Sequence, residues 1–203
     1  MRLGIMGGTF DPIHFGHLVT AEEALVQFNL DRVLFMPTGH PVLKKDERIT
    51  PAEDRYLMTV VATATNPDFD VSRLEVDRPG LTFTVDTLLA LHDEYGPATE
   101  LFFITGADAV WEIVGWKDAA KVAGLATFIA ATRPGYDLAA ARNAHEAQAT
   151  GFRIEYIAVP ALAISSTDLR ARISQRRAIR YLTPESVVAY IQKRGLYREA
   201  GQA

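Results

Sequence analysis

Residues 7–17 have the types and the spacing to bind a phosphate group, and we call them the phosphate loop. They read Gly-Gly-Thr-Phe-Asp-Pro-Ile-His-Phe-Gly-His and stand between a short apolar run and a helical pattern. In a glycine-containing turn, the backbone N–H groups of Gly8, Thr9 and Phe10 can approach an anion closely. The start of the following helix adds unpaired N–H groups and the positive end of a dipole. The stretch therefore predicts an anion site.

The two histidines of the phosphate loop add side-chain donors. His14 and His17 are three residues apart, so both can face one point near the helix start. Gly16 has no side chain, which lets a ligand lie close. The glycine spacing excludes the dinucleotide fingerprint G-x-G-x-x-G, and no Gly-Lys-Ser/Thr follows as in a P-loop. The alternative is a glycine-rich turn whose histidines only cap a helix.

A second stretch, Ile164-Ser165-Ser166-Thr167-Asp168-Leu169-Arg170, has complementary chemistry. Its hydroxyl residues can cap a helix and present O–H and N–H groups to phosphate. Arg170 would lie on the first turn, where its guanidinium can donate to the same anion. The alternative is an ordinary capped helix with a solvated arginine.

Together the two stretches resemble the signature of the nucleotidyltransferase superfamily with the H-x-G-H motif, whose later part usually reads I-S-S/T-T-x-x-R. From Leu3 to about Tyr197, the chain is most similar to the bacterial nicotinate-nucleotide adenylyltransferase family. The further supporting stretches are Gly80–Leu88, Thr105–Asp108, Trp116, Arg133–Tyr136, Tyr181–Pro184 and Gly195–Tyr197.

This resemblance implies transfer of the adenylyl group of ATP to nicotinate mononucleotide, giving nicotinate adenine dinucleotide and pyrophosphate for NAD biosynthesis. It implies that charge on the reacting phosphates is stabilised by His17, His14, Arg170 and Lys44. It implies that ATP and its phosphates contact Gly8, Thr9, Phe10, Gly16, Ser165, Ser166, Thr167, Gly106 and Asp108. It implies that the mononucleotide contacts Thr84, Trp116, Thr38 and Arg133. Mg²⁺ is expected on the triphosphate, with no ligand from the protein.

One loop departs from the family, which often reads N-x-x-P-P-H-K after the second strand. Here Thr38 stands at the Asn position and Leu43 at the His position, while Lys44 is kept. A phosphate contact from Lys44 is therefore expected, and the contact of the missing His is in question. We expect residues 39–48 to form a mobile lid over the site.

Several of these residues have a structural alternative. Trp116 can stack on a pyridine ring or belong to the core. Asp108 can accept from ribose hydroxyls or cap a helix, and Arg133 can reach a phosphate or pack on the surface. Thr84 is a candidate donor to the nicotinate carboxylate. For Asp11, which lies inside the phosphate loop, the structural alternative is that the Asp-Pro pair merely shapes the turn.

Alternative functions remain open at this stage. The acceptor could be nicotinamide mononucleotide or another phosphorylated small molecule. A non-catalytic nucleotide-binding module is a further alternative, although the histidines, Lys44 and the Ser-Ser-Thr…Arg set are all present. A fragment of a class I synthetase would carry an added tRNA-binding domain, which we do not find.

The elements that must position these residues alternate between strands and helices, which predicts a doubly wound (Rossmann-like) α/β fold with a mainly parallel sheet. The predicted strands are Leu3–Met6, Arg32–Met36, Phe69–Val76, Leu101–Ile104, Thr127–Ala131 and Arg153–Val159. Helices are predicted at Leu18–Phe28, from the N-cap Thr50 to about Thr65, at Val85–Tyr95, around Asp137–Thr150, and from Ser166 and Thr183-Pro184 onward.

Composition sets the remaining limits. The 203 residues predict one domain, 1–203, with C-terminal helices at about 166–197 as a small subdomain. A net charge of −4 argues against nucleic-acid binding. The absence of cysteine excludes disulfides and a Cys nucleophile. No apolar run approaches the ~20 residues that span a membrane, so we expect a cytoplasmic protein, with a homodimer left open.

Overall fold

A computed structural model describes residues 1–41, 49–107, 113–132, 151–160 and 162–198. Within them, a six-stranded parallel sheet has the strand order β3-β2-β1-β4-β5-β6. The strands are β1 (Arg2–Gly8), β2 (Arg32–Pro37), β3 (Phe69–Val71), β4 (Glu100–Gly106), β5 (Thr127–Thr132) and β6 (Arg153–Ala158). This order confirms the predicted doubly wound fold.

The strand order reverses between β1 and β4, and ligands of such sheets bind at the carboxyl ends of the strands beside this point. Gly8 ends β1 and Gly106 ends β4, so the phosphate loop leaves the sheet there. The topology thus places the loop where a ligand is expected.

Helices cover both faces of the sheet. Those in the described residues are α1 (Phe15–Gln27), α2 (Ala52–Thr63), α3 (Thr84–Tyr95), α4 (Ala119–Leu125), α5 (Ser166–Ser174) and α6 (Glu185–Arg194). One apolar core joins α1, α2, α5 and α6 to the sheet, through residues such as Ala24, Met58, Leu169 and Val187. The other joins α3 and α4 to the opposite face. The C-terminal helices therefore share a core with the phosphate loop.

The strand predicted at Phe69–Val76 is wrong beyond Val71, and the reason lies in β2. The Ser72 N–H still bonds the Phe35 carbonyl at 2.9 Å. The next ladder bond would need an N–H at position 37, which is Pro37 and has none. The chain leaves the sheet at this point, and β3 is only three residues long.

Two helix starts also differ from the prediction. Helix α1 begins at Phe15 rather than Leu18, because His14 caps it. Helix α2 has Pro51, not Thr50, at its N-cap position. The Thr50 carbonyl instead accepts a hydrogen bond from the Arg55 side chain at 2.9 Å.

The helix predicted around Asp137–Thr150 lies outside the described residues. In the part of the chain that is described, no helix is long and apolar enough to cross a membrane.

Candidate active site

The phosphate loop turns at Phe10, which has a left-handed backbone with φ of 50°. The Phe10 ring is buried in the core and is only 1% exposed. A Cβ at position 8 would lie 2.7 Å from this ring. Gly8 is therefore required by the packing of Phe10, and the Phe10 side chain itself is not available to a ligand.

His14 and His17 form one unit at the start of α1. The His14 N–H donates to Nδ1 of His17 at 3.2 Å, in a reciprocal capping arrangement. The two rings stack with centroids 3.8 Å apart, and the Phe10 ring meets His17 edge-on at 5.0 Å. Because Nδ1 of His17 accepts a hydrogen bond, its neutral ring carries the proton on Nε2. The donor that His17 offers to a ligand is thus Nε2–H.

The protonation state of His17 follows from its surroundings. Burial, and then the neighbouring His14, lower the pKa of His17 well below its ordinary value of 6.5. His17 is therefore neutral near pH 7 and acts as a hydrogen-bond donor rather than as a cation. Gly16 supports the pair, because a Cβ there would lie 3.0 Å from the His14 ring.

The second stretch packs directly on the phosphate loop. Ser166 Oγ donates to the Pro12 carbonyl at 2.8 Å, and Arg170 Nη1 donates to the Asp11 carbonyl at 2.8 Å. Ser165 caps α5 by accepting the Asp168 N–H at 3.1 Å. The two stretches that the sequence singled out thus form one assembly.

A cavity of about 340 Å³ opens between these stretches at the carboxyl edge of the sheet. Its lining includes His14, Gly16, His17, Gly106, Ser165 and Ser166. A Cβ on Gly106 would meet nothing within 4 Å, so this position borders open space. Six of the predicted site residues therefore face one cavity. Thr167 and Arg170 are not part of this lining, and Thr167 Oγ1 lies 3.4 Å from Arg170 Nη2.

Asp11 connects the phosphate loop to two other segments of the chain. Its carboxylate accepts the Tyr197 hydroxyl at 2.6 Å and the Thr50 N–H at 3.3 Å, and it is only 4% exposed. Burial and this carboxylate raise the pKa of Tyr197 above its ordinary value, so the phenol keeps its proton. The contacts favour the structural alternative for Asp11.

The predicted acceptor residues lie on neighbouring elements. The Thr38 N–H donates to the Gly8 carbonyl at 2.9 Å, which ties the loop after β2 to the phosphate loop. Thr84 begins α3 and is half-buried. Trp116 follows a short 3₁₀ turn and is also half-buried.

Trp116 makes the core contacts that its structural alternative predicts, and its stacking on a pyridine ring stays a prediction. One edge packs on Phe103 and Phe128, with ring centroids 5.9 Å and 6.3 Å away. The next residue is Lys117, whose Nζ lies 4.6 Å from the centre of the Phe83 ring and 3.5 Å from Asp86 Oδ2. Phe83 and Asp86 flank Thr84 in the sequence. Trp116 is therefore anchored in the core close to the start of α3, with part of its surface exposed.

Two buried charged residues near the site were missed from the sequence. Arg55 is 1% exposed and Glu75 is 6% exposed. Met58 and Thr59 are fully buried on α2, and Arg55 precedes them by three and four residues. This helical spacing places Arg55 on the buried face of the helix, and it was the signal available in the sequence. Glu75 was missed because it fell within the strand predicted at Phe69–Val76, which in the structure ends at Val71. Burial raises the pKa of Glu75 to about 7, although its Thr87 partner opposes the shift.

Lys44, Asp108 and Arg133, as well as most of the predicted lid, lie outside the described residues. Among the residues that are described, no group of three or more His, Cys, Asp or Glu side chains could hold a metal ion. The phosphate loop, the second stretch and Gly106 thus form the part of the candidate site that geometry brings together.

Comparison with known proteins shows the family to which the chain belongs. Residues 5–172 match the family model described as cytidylyltransferase-like. The chain is 57% identical over 201 residues to a probable nicotinate-nucleotide adenylyltransferase of Corynebacterium kroppenstedtii, covering 99% of this chain and 93% of the relative. It is 55% identical to a protein of the same description from Moorella thermoacetica, covering 97% and 92% of the two chains.

Solved structures share the fold. The nicotinic acid mononucleotide adenylyltransferase of Plasmodium falciparum, complexed with APC, superimposes with a TM-score of 0.77 at 20% identity, covering 97% and 96% of the two chains. The same enzyme complexed with NaAD gives a TM-score of 0.74 at 20% identity, covering 97% of each chain. The chain belongs to the cytidylyltransferase-like family and, within it, to the nicotinate-nucleotide adenylyltransferases.

Proposed function

We propose that this protein transfers the adenylyl group of ATP to nicotinate mononucleotide, releasing pyrophosphate and forming nicotinate adenine dinucleotide. The observation that carries the proposal is the single cavity lined by His14, His17, Gly106 and the Ser165–Ser166 helix start. Relatives described as nicotinate-nucleotide adenylyltransferases, at 50% to 57% identity over nearly the whole chain, support the choice of acceptor.

The nucleophile needs no general base from the protein. It is the 5′-phosphate of the mononucleotide, whose second pKa of ~6 leaves it largely dianionic at neutral pH. One of its oxygens forms the bond to the α-phosphorus of ATP while the bond from that phosphorus to the β-phosphate oxygen breaks. The leaving group is pyrophosphate, so the protein must mainly position the reactants and stabilise charge.

The described residues offer donors for that charge. His17 would donate through Nε2–H, the proton that its contact with the His14 N–H leaves on that nitrogen. Backbone N–H groups at Gly8–Phe10 and the N-termini of α1 and α5 would add partial positive charge. Arg170 would contribute its full charge from the adjacent second stretch, where it also braces the Asp11 carbonyl. Lys44 is proposed as a further phosphate contact.

Mg²⁺ enters this proposal as part of the substrate, bound to the triphosphate of ATP. The described residues include no cluster suited to hold it. The residues named above would bind and orient the phosphates that carry the ion.

The mononucleotide would lie on the side of the phosphate loop that faces Thr38 and the start of α3. There the exposed part of Trp116 offers an indole surface for the pyridine ring, and Thr84 a hydroxyl for the carboxylate. Arg133 completes the mononucleotide contacts predicted from the sequence, while Asp108 is proposed to contact ATP and residues 39–48 to form the lid. A single domain and a cytoplasmic location stay predictions, and a homodimer stays one open alternative for the oligomeric state.

The proposal is tested by measuring pyrophosphate release from MgATP with nicotinate mononucleotide, with nicotinamide mononucleotide, and without acceptor. We expect rapid release with the acid, much slower release with the amide, and none with ATP alone. Comparable rates with both acceptors would assign a dual-specificity enzyme in which aromatic stacking outweighs carboxylate recognition. Release with neither acceptor would contradict the proposal.

A further inference from the structure

The most deeply buried charge near the candidate site belongs to Arg55, on the first turn of α2. Its side chain is only 1% exposed, and burial lowers the pKa of its guanidinium below the ordinary value. An arginine is rarely buried to this extent unless its donors are satisfied.

Arg55 binds three backbone carbonyls from three separate segments. Nη1 donates to the Thr9 carbonyl at 2.7 Å, Nη2 to the Gly39 carbonyl at 2.9 Å, and Nε to the Thr50 carbonyl at 2.9 Å. Thr9 belongs to the phosphate loop. Gly39 belongs to residues 38–41, which follow β2 and which we call the acceptor loop. One rigid planar group therefore connects both loops to the start of α2.

These contacts fix the direction of backbone N–H groups. The Thr9 carbonyl shares a planar peptide with the Phe10 N–H, so holding the carbonyl also sets where that N–H points. A cation on the carbonyl oxygen polarises the peptide and strengthens its N–H as a donor. Arg55 thus acts, through Thr9, on one of the donors proposed for the phosphates.

The acceptor loop is held from both sides. The Gly39 carbonyl shares its peptide with the His40 N–H, which donates to Thr82 Oγ1 at 3.2 Å. A Cβ on Gly39 would lie 2.1 Å from the Glu75 carbonyl oxygen, so this backbone is packed against its neighbour without space to move. The loop is clamped between Arg55, Thr82 and Glu75.

Two buried carboxylates provide negative charge for the guanidinium of Arg55. The carboxylates of Asp11 and Glu75 both favour the charged form of Arg55, and each is itself buried. Glu75 accepts the Thr87 hydroxyl at 2.7 Å, which places α3 in the same network. The arrangement links the elements on which both substrates are proposed to bind.

We propose that Arg55 is a positioning residue that sets the distance and orientation between the phosphate loop and the acceptor loop. This inference rests on the proposed function. Attack of one bound phosphate on another depends steeply on their relative position, and a displacement of about 1 Å can cost ~10²-fold in rate. Arg55 acts through the backbone it holds and touches neither substrate.

The test compares Arg55→Lys, which keeps the charge but loses the three-way geometry, with Arg55→Met. The matched control is Arg73→Met, because Arg73 is an exposed arginine tied to the same helix by Glu53. Kinetics are measured with both substrates, at temperatures where unfolding curves show each variant to be folded. ATP and nicotinate mononucleotide binding are titrated separately.

We expect kcat to fall ~10²-fold for Arg55→Lys and further for Arg55→Met, with each substrate's dissociation constant within about fivefold of wild type. Arg73→Met should keep its kcat. A purely structural role would lower stability but leave kcat per folded molecule intact, so a kcat of Arg55→Lys within threefold of wild type overturns the inference.

A second variant keeps the test decisive if both Arg55 variants fail to fold. Thr82→Val removes one of the three supports of the Gly39–His40 peptide, the acceptor of the His40 N–H, with little change in volume. We expect its kcat to fall at least ~10-fold. An unchanged kcat would overturn the inference. Wild-type activity in the same assay separates this outcome from failure of the proposed function, which would leave the wild type inactive as well.

Discussion

His14 and His17 differ in what they can offer a ligand, although their spacing suggests an equivalent pair. The backbone of His14 caps α1, and its side chain, only 6% exposed, lies stacked on its neighbour. His17 has one nitrogen committed to the His14 N–H and the other carrying the proton. This division favours His17 as the main donor to the reacting phosphates and His14 as the residue that orients it.

Glu75 gives a prediction at the same scale, because its pKa of about 7 lies above the ordinary 4.5. Below pH 4.5 the group is protonated in both states. Between 4.5 and 7 the unfolded chain loses this proton while the folded chain keeps it, so its contribution to the free energy of unfolding falls as pH rises, by about 3 kcal/mol in total. Above pH 7 the contribution is constant.

We therefore expect Glu75→Gln to gain stability relative to wild type as pH rises from 4.5 to 7. Urea unfolding at four pH values across this window measures the difference. Glu94→Gln, at an exposed position on α3, is the control and should show no such trend. A stability difference between Glu75→Gln and wild type that does not change with pH would contradict the prediction.

Single residues were predictable where type and spacing carried the signal. The H-x-G-H loop and the Ser-Ser-Thr…Arg stretch were found from the sequence, and the structure brings them together around one cavity. Arg55 and Glu75 were missed because a charged residue in a sequence is normally solvated. Only the fold shows that their partners, such as the Gly39 carbonyl and Thr87, come from distant segments.

At the scale of elements, the segments on both sides of the C-terminal helix α6 contact the phosphate loop. The Thr183 hydroxyl donates to the Ile13 carbonyl at 2.8 Å, and the Leu182 carbonyl accepts the Phe15 N–H at 3.2 Å. After α6 the chain returns through Gly195, and Tyr197 reaches Asp11. The tail thus contributes to the geometry of a loop nearly the whole sequence away.

Removing the Tyr197 hydroxyl tests this support. We expect Tyr197→Phe to lose about 1–3 kcal/mol of unfolding free energy, because a hydrogen bond to a buried carboxylate is broken. Denaturant unfolding measures the loss. Tyr181→Phe, at a position that is 84% exposed, should be neutral. A loss for Tyr197→Phe no larger than that of this control would contradict the tail's role.

The elements also show where sequence patterns are insufficient. Sequence patterns identified all six strands of the described sheet. Buried parallel strands such as β1 and β2 appear as continuous apolar runs, while β3 was predicted from an alternating pattern. The pattern did not show where β3 ends, since its end depends on Pro37 of the neighbouring strand. Nor did it show that α1 begins at Phe15, because a histidine at the third helical position is not a usual capping residue.

At the scale of the whole molecule, the sheet order explains why residues as far apart as Asp11 and Arg170, separated by 159 positions, form one site. The reversal between β1 and β4 opens the edge from which the phosphate loop emerges, and α5 returns after β6 to pack on that loop. The position of the site follows from the parallel α/β topology, which the alternation of elements predicted. The choice of acceptor substrate depends on side chains of the loops, which the topology alone does not specify.

The most direct test of this account measures the formation of nicotinate adenine dinucleotide from MgATP and nicotinate mononucleotide by wild type and His17→Ala in parallel. We predict that the wild type forms the dinucleotide and pyrophosphate in equal amounts. His17→Ala should remain folded and still bind ATP, but lose at least ~10² in kcat. A variant with near-normal turnover would contradict the assignment of His17 and of this cavity as the place where the phosphates react.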